Sequence, residues 1–212
     1  ESALQYLAAA DLCVSVGKVV YTQLLDVRGG INADLSIARV APDRFWVITS
    51  IGSHNRDWWH IKRYLPEGVQ MVDISQDYAC LSLQGPNARS ALAKITEHEI
   101  SADSFVFGSG FFMPLHGCEC WVQRLSYVGE LGYEIFIPAK YATKVYRAIM
   151  AAGAEFDICN AGLHTLNSMR LEKGFRHWGH DIGAEDNLVQ AGLSFVAKPE
   201  AGDFLGRDAF AE

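Results

Sequence analysis

A carboxylate that follows a Gly-Gly turn is the first candidate for chemistry in this sequence. Asp34 lies four residues after Gly30 and opens a β-rich segment, so we expect its side chain at a strand end, where sites are often built. A carboxylate there can position or deprotonate an amine, and it can stabilise positive charge that develops during a reaction. The alternative is a turn acid that hydrogen-bonds its own backbone.

The segment Arg124–Pro138, which reads RLSYVGELGYEIFIP, predicts a strand, a tight polar turn and a second strand. Its turn carries Glu130, a carboxylate that can accept two parallel hydrogen bonds from adjacent N–H groups of a heterocycle. Tyr127 is a candidate for ring stacking or hydroxyl bonding. The alternatives are a solvated turn glutamate and a cross-strand aromatic ring. Glu134, in the strand beyond, is interpreted as structural.

The segment Met169–Ile182, which reads MRLEKGFRHWGHDI, predicts a helix that ends at Gly174 and continues into an aromatic, basic loop. Arg170 falls on the same helix face as Leu163 and Leu166. An arginine on an inner face needs an acidic partner or an anionic ligand. Trp178 either covers a ligand or packs in the core. His177 and His180 have no third ligand nearby, so no metal is predicted.

Composition restricts the class of protein. The 212 residues are 50% apolar and 20% charged, as in ordinary globular proteins, and the net charge of −7 argues against nucleic acid as a partner. The chain has no apolar run near 18 residues, so no membrane span is predicted. Five irregularly spaced cysteines do not suggest a disulfide framework, which favours the cytosol or a mitochondrial matrix.

The alternation of strand groups with single helices and hairpins predicts an α+β fold with antiparallel sheets and helices on one face. Strands are predicted at 19–25, 35–40, 45–49, 69–74, 79–83, 105–114, 118–126 and 133–137. Helices are predicted at 1–10, 58–65, after Pro86, at 142–149, at 163–170 and after Gly206.

Five segments in a fixed order resemble one family. They are the Gly-Gly-x-x-x-Asp stretch Gly29–Ile37, the Gln-Gly-Pro turn in Leu83–Arg89, the two segments described above, and Gly192–Phe210 with its Asp-Phe-Leu-Gly-Arg run. The chain resembles the folate-binding domain of the glycine cleavage T-protein (aminomethyltransferase) superfamily. Within it, the chain is most similar to the C-terminal half of the flavin-linked sarcosine and dimethylglycine dehydrogenases.

The resemblance implies two ferredoxin-like, folate-binding subdomains. We expect the first at residues 1–72, the second at 73–196, and the start of a further segment at 197–212. The superfamily has another element before this region and a β-barrel after it, so we expect the chain to be a piece of a longer polypeptide.

The resemblance also implies roles for single residues. Asp34 matches the acid beside the folate nitrogen that receives the carbon unit, and Glu130 matches the glutamate that binds the pterin. The residues expected around the folate are Tyr21, Thr49, Tyr127, Arg170 and Trp178. The sequence departs from the family pattern at Ala33, where a first aspartate is common, and at Asn167, where an acid is common.

The implied function is a tetrahydrofolate-binding, one-carbon transfer module that captures the carbon of an iminium as 5,10-methylene-tetrahydrofolate. The implied donor is a small N-methyl amine or another aminomethyl donor. The iminium would come from a flavin domain of the parent polypeptide. Gly108-Ser109-Gly110 lacks the third glycine of a dinucleotide fingerprint, so FAD is expected on an absent segment or a partner.

Other functions remain open. One is a stand-alone glycine cleavage aminomethyltransferase or a related folate-dependent demethylase. Another is a non-catalytic regulatory or iron–sulfur assembly relative of the same fold. A regulatory relative should have lost the acid or the pterin carboxylate, and both Asp34 and Glu130 are present.

Overall fold

The structure is a computed structural model that describes residues 1–211, in which seven strands form two antiparallel sheets. The strands are β1 (Val19–Leu25), β2 (Ile31–Ala41), β3 (Arg44–Ile48), β4 (Tyr78–Gln84), β5 (Gly110–Leu115), β6 (Cys118–Gln123) and β7 (Gly132–Pro138). The α-helices are α1 (Ser2–Leu7), α2 (His54–Tyr64), α3 (Ala88–Ala93), α4 (Ala142–Gly153), α5 (Leu163–Glu172) and α6 (Arg207–Ala211). The predicted α+β class with antiparallel sheets is therefore confirmed.

The first sheet is a meander in the order β1-β2-β3. Side chains of a strand alternate between its two faces, so Leu35 and Ile37 of β2 point to one face and Asp34 to the other. The apolar face is covered by helices, with Leu7 of α1 and Ile61 of α2 in the same buried cluster. This apolar cluster therefore lies on one face of the sheet, and Asp34 projects from the other.

A second apolar cluster packs residues from a distant part of the chain against the first sheet. Leu25 and Ile31, at the β1–β2 turn, pack with Ile182, Leu193 and Phe204. Residues 1–71 and 176–211 accordingly form one compact unit, and residues 72–175 form the other. The first unit is discontinuous because the segment after residue 175 returns to the β1–β2 hairpin.

The second sheet has the strand order β4-β7-β6-β5, with every neighbouring pair antiparallel. Its core contains Tyr133, Ile135 and Ile137 of β7, against Leu92 of α3 and Val145 of α4. The elements follow the order β–α–β–β–β–α, so the second helix comes after the last strand. In a ferredoxin-like unit that helix comes before it.

The limits of the compact units differ from the predicted domain boundaries in the part of the chain after residue 175. The first break lies at Met71/Val72, next to the predicted residue 72. Residues 176–196 were predicted in the second subdomain and 197–212 in a separate segment, whereas the described part of both packs with the first unit. The physical reason is the apolar cluster around Leu25 and Ile31, which these residues bury.

The predicted strand at 69–74 is wrong. These residues are irregular, and the side chains of Val69 and Val72 are largely exposed. The alternation of apolar residues there has no neighbouring strand to supply hydrogen bonds, so the segment connects the two units instead. In residues 1–211 no helix has both the length and the apolar character needed to cross a bilayer.

Candidate functional site

Asp34 lies on β2, on the sheet face opposite the apolar core. In the antiparallel register it is paired with Gln23 of β1, and Tyr21 is paired with Ser36 two residues further along. Because side chains two residues apart share a face, Tyr21, Gln23, Asp34 and Ser36 all project from the same side of the sheet. The structure therefore brings together two of the residues predicted from sequence, Asp34 and Tyr21.

The Asp34 carboxylate is partly buried and receives hydrogen bonds from its neighbours. Gln23 donates from Nε2 to Asp34 Oδ1 at 2.7 Å, and Tyr21 donates a side-chain hydrogen bond. Burial raises the pKa of Asp34 above its ordinary value, and the two hydrogen bonds oppose part of that rise. His177 lowers and Asp57 slightly raises the same pKa through their charges. A carboxyl group in this state is suited to exchange a proton with an amine.

The Gly-Gly turn before Asp34 is fixed by close packing. Gly29 has a φ of +79°, which disfavours any side chain. A Cβ on Gly30 would overlap the carbonyl oxygen of Ala184. Asp26 Oδ1 accepts hydrogen bonds from the backbone N–H groups of Arg28 and Gly30, at 2.8 and 3.0 Å. The turn therefore requires glycine at positions 29 and 30, and Asp26 stabilises it through its side chain.

Thr49 is bound to a buried carboxylate that sequence analysis did not single out. Asp57 of α2 is fully buried, and its Oδ2 accepts hydrogen bonds from the hydroxyl groups of Thr49 and Ser53. Arg56 donates from Nε and Nη2 to Asp57 Oδ1, at 3.0 and 2.7 Å. The predicted contact between Thr49 and a ligand stays a prediction, since this hydroxyl already has a structural partner.

Trp178 is held at both its edge and its ring face. Its indole Nε1 donates to the carbonyl oxygen of Ile31 at 2.8 Å, at the start of β2. The guanidinium carbon of Arg56 lies 3.4 Å from the centroid of the indole ring, as in a cation–π contact. Arg56 thus links the Asp57 carboxylate to the aromatic loop, and sequence analysis had no local signal for this pairing.

In the second unit, the β6–β7 turn lies against the segment that follows α5. Glu130 Oε1 is 3.7 Å from Lys173 Nζ, and both side chains are about two-fifths exposed. The rings of Tyr127 and Phe175 are stacked at 6.4 Å between centroids. A Cβ on Gly129 would overlap the Lys173 side chain, and Gly129 has a φ of +73°. The structure therefore groups Tyr127 and Glu130 around residues 173–175.

Glu134 is a carboxylate in a position that resembles that of Asp34. It lies on β7, opposite Gln123 of β6, and Gln123 Nε2 donates to Glu134 Oε2 at 2.8 Å. Gln123 Oε1 in turn accepts a hydrogen bond from Trp121 Nε1 at 2.9 Å. Burial raises the pKa of Glu134, and the bond from Gln123 opposes this. Glu134 is predicted from sequence to be structural, although its position between the buried Tyr133 and Ile135 indicates that the opposite face of β7 is polar.

Arg170 is buried and bound by neighbours within its own segment. Its Nε and Nη2 donate to Asn167 Oδ1 at 2.8 and 2.6 Å, and its Nη1 donates to the carbonyl oxygen of Phe175 at 3.1 Å. The inner-face prediction holds for Arg170 and not for Leu163, whose side chain is largely exposed. Asn167, where the family often has an acid, supplies a neutral acceptor.

The cysteines and histidines form no metal centre within residues 1–211, where no group of three metal-ligating side chains comes together. The rings of His177 and His180 lie 4.3 Å apart. All five cysteines are free, and burial raises the pKa of the Cys120 thiol to about 12. A thiol in that state is an unreactive core residue.

The comparisons with known proteins agree with the fold and the motifs. Residues 1–201 match the family model described as GCVT N-terminal domain, and the chain therefore belongs to that family. Mitochondrial sarcosine dehydrogenase of Homo sapiens is 35% identical over 98% of the chain. The mitochondrial pyruvate dehydrogenase phosphatase regulatory subunit of Mus musculus is 33% identical over 97%. The crystal structure of glycine cleavage system aminomethyltransferase T from Bartonella henselae superposes with a TM-score of 0.86 at 26% identity.

These relatives are longer than the chain. The chain spans 24% of the length of both mitochondrial relatives. It covers 56% of the Bartonella henselae structure, which in turn accounts for 99% of the chain. The family predicted from the motifs is confirmed, and the activity of any whole relative is a separate question.

Proposed function

We propose that the chain is a tetrahydrofolate-binding, one-carbon transfer module of a sarcosine or dimethylglycine dehydrogenase-like enzyme. The observation that carries the proposal is Asp34, a partly buried carboxylate with a raised pKa and donors on two sides. Similarity to human sarcosine dehydrogenase over 98% of the chain supports this branch of the family.

In this reaction two folate amine nitrogens would replace the iminium nitrogen on the carbon, giving 5,10-methylene-tetrahydrofolate and releasing the demethylated amine. Asp34 is the acid–base group beside these nitrogens: it orients an amine N–H and takes up the proton that the amine releases. Tyr21 and Gln23 hold the carboxylate from the neighbouring strand. FAD belongs on another segment of the parent polypeptide or on a partner. The compartment we expect is the cytosol, or the mitochondrial matrix in a eukaryotic host.

The pterin is assigned to a carboxylate of the β6–β7 hairpin, where two candidates differ in environment. Glu130 is the residue the family motif points to, and its present partner is a partly exposed lysine. Glu134 is more desolvated and has one carboxylate oxygen bonded to Gln123. We retain Glu130 as the pterin anchor and treat Glu134 as its competitor. Tyr127, Arg170, Thr49 and Trp178 are assigned to the surroundings of the folate.

A non-catalytic role is the second candidate, because the mouse phosphatase regulatory subunit is 33% identical over 97% of the chain. The presence of Asp34 with its two hydrogen-bond donors favours the enzymatic role. A stand-alone aminomethyltransferase is the third, supported by the Bartonella henselae structure.

Calorimetry with 5-formyl-tetrahydrofolate, a stable analogue, tests the proposal on both the chain and its full-length parent. We expect saturable binding by both. The parent should also convert an N-methyl amine and tetrahydrofolate to methylene-tetrahydrofolate. Absence of binding by the parent would refute the folate assignment. Binding with transfer only from a carrier-protein aminomethyl group would favour the stand-alone aminomethyltransferase.

A further inference from the structure

The two sheets carry the same cross-strand contact, in which a glutamine amide donates to a carboxylate. Gln23 and Asp34 form it in the first unit, and Gln123 and Glu134 in the second, each pair eleven residues apart along its hairpin. In both sheets the pair projects from the face opposite the apolar core. The two glutamines differ in whether the amide oxygen accepts a hydrogen bond.

The amide oxygen of Gln123 is satisfied, and that of Gln23 is not. Gln123 Oε1 accepts a hydrogen bond from Trp121. Gln23 is fully buried, and its Oε1 is a buried atom with no hydrogen-bond partner. A buried acceptor without a donor costs free energy, so its presence needs an explanation. An apolar side chain of similar volume would fill the same space without that cost.

We infer that Gln23 is a positioning residue that keeps Asp34 ionised and aimed for proton transfer. Its Nε2–H group is directed at Asp34 Oδ1 at 2.7 Å, a short charge-assisted hydrogen bond. Donation to a carboxylate favours the ionised form, which is the form that accepts a proton. The bond to Asp34 fixes the orientation of the amide, because turning the amide over would place its oxygen against the carboxylate.

The groups that act on Asp34 come from β1, from α2 and from the loop after α5. Tyr21 of β1 donates a second hydrogen bond, His177 of the loop after α5 favours the ionised form, and Asp57 of α2 disfavours it. Gln23 adds no charge, so a neutral substitution there changes the Asp34 contact without altering the net charge of the site. Its removal should therefore affect Asp34 selectively.

The test is a Gln23→Met variant, which keeps the length and approximate volume of the side chain but has no donor. Carbon-13 NMR of the Asp34 carboxyl group follows its titration in the chain. We expect the midpoint to move to higher pH than in the wild type. Gln123→Met removes the matching contact in the other sheet and should leave the Asp34 midpoint unchanged. If the Met variant does not fold, Gln23→Asn, whose amide is too short to reach, takes its place.

Kinetics give the second measurement, and this part rests on the proposed function. In the full-length parent, Gln23→Met should slow methylene-tetrahydrofolate formation about 10-fold at neutral pH and move the acid limb of its pH profile to higher pH. An Asp34 midpoint equal to that of the wild type overturns the inference, whatever the rate. A wild-type parent that forms no methylene-tetrahydrofolate refutes the proposed function instead, and the NMR midpoint then decides the inference alone.

Discussion

At the scale of single residues, Asp34 and Glu134 are both carboxylates that accept a hydrogen bond from a neighbouring strand. Asp34 has a raised pKa because it is partly buried, and hydrogen bonds from Tyr21 and Gln23 stabilise its charge. Such a group combines basicity with a fixed orientation, which are the two requirements for general base catalysis. Glu134 has a similar environment, whereas Glu130 is partly exposed. Asp34 and the two glutamates are therefore tested separately.

Asp34→Ala in the full-length parent should slow carbon transfer to folate at least about 100-fold, the usual scale of a general acid–base group. Flavin reduction by the amine should be nearly unchanged, and free formaldehyde should accumulate as uncaptured iminium hydrolyses. Stopped-flow absorbance measures flavin reduction, and a product assay measures methylene-tetrahydrofolate and formaldehyde. Asp43→Ala, in the exposed β2–β3 turn, controls for the loss of one negative charge. Wild-type amounts of methylene-tetrahydrofolate would show that Asp34 has no acid–base role in the transfer.

Glu130→Gln should weaken binding of 5-formyl-tetrahydrofolate by more than about 1.5 kcal/mol, because an amide replaces only part of a bidentate, charge-assisted contact. Calorimetry on the folded variant measures this, with Glu134→Gln as the matched substitution on the same hairpin. A loss of affinity found only in Glu134→Gln would assign the pterin contact to Glu134 instead. Wild-type affinity in both variants would show that neither carboxylate of this hairpin binds the pterin.

Burial of Glu134 also predicts a pH-dependent stability. Its pKa is raised above the ordinary value of 4.5, so ionisation costs folding free energy. The stability that the protonated form supplies is present below pH 4.5 and is lost as the pH rises through the folded-state pKa. Urea midpoints of the wild type and Glu134→Gln, measured from pH 4 to 8, should show the variant gaining relative stability as pH rises. A difference that is constant with pH would contradict this.

At the scale of the elements, much of the secondary structure follows from local patterns. Apolar alternation placed β1 at residues 19–25, its observed limits, and placed β7 within one residue at each end. The same alternation failed at 69–74, where no neighbouring strand pairs with it. Local sequence also could not show the Gln23–Asp34 pair or the Arg56–Trp178 contact, because both depend on which segments meet in the fold.

The Gly-Gly turn gives a prediction at this scale. Gly30→Ala should destabilise the chain by about 1–3 kcal/mol, because the new methyl group would meet the Ala184 carbonyl oxygen, which belongs to the backbone and yields little. Gly162→Ala is the control, since a Cβ there meets nothing within 4 Å. Its effect should be below about 1 kcal/mol. Urea denaturation measures both, and equal effects would contradict the packing argument.

At the scale of the whole molecule, the two compact units differ in how the chain builds them. Residues 72–175 are contiguous and contain a complete apolar cluster. The first unit depends on residues after 175 to cover Leu25 and Ile31. We therefore expect a 72–175 fragment to show a cooperative urea transition, and a 1–71 fragment to lack one. Cooperative unfolding of the 1–71 fragment, followed by circular dichroism, would contradict this.

The discontinuous first unit has a consequence during protein synthesis. The hairpin that carries Asp34 is synthesised well before the residues that cover its turn, such as Leu193 and Phe204. At elongation rates of about 5–20 residues per second, the hairpin waits roughly 8–35 s for them. The contiguous second unit can fold in that interval. The nascent β1–β2 hairpin therefore keeps Leu25 and Ile31 uncovered during this interval.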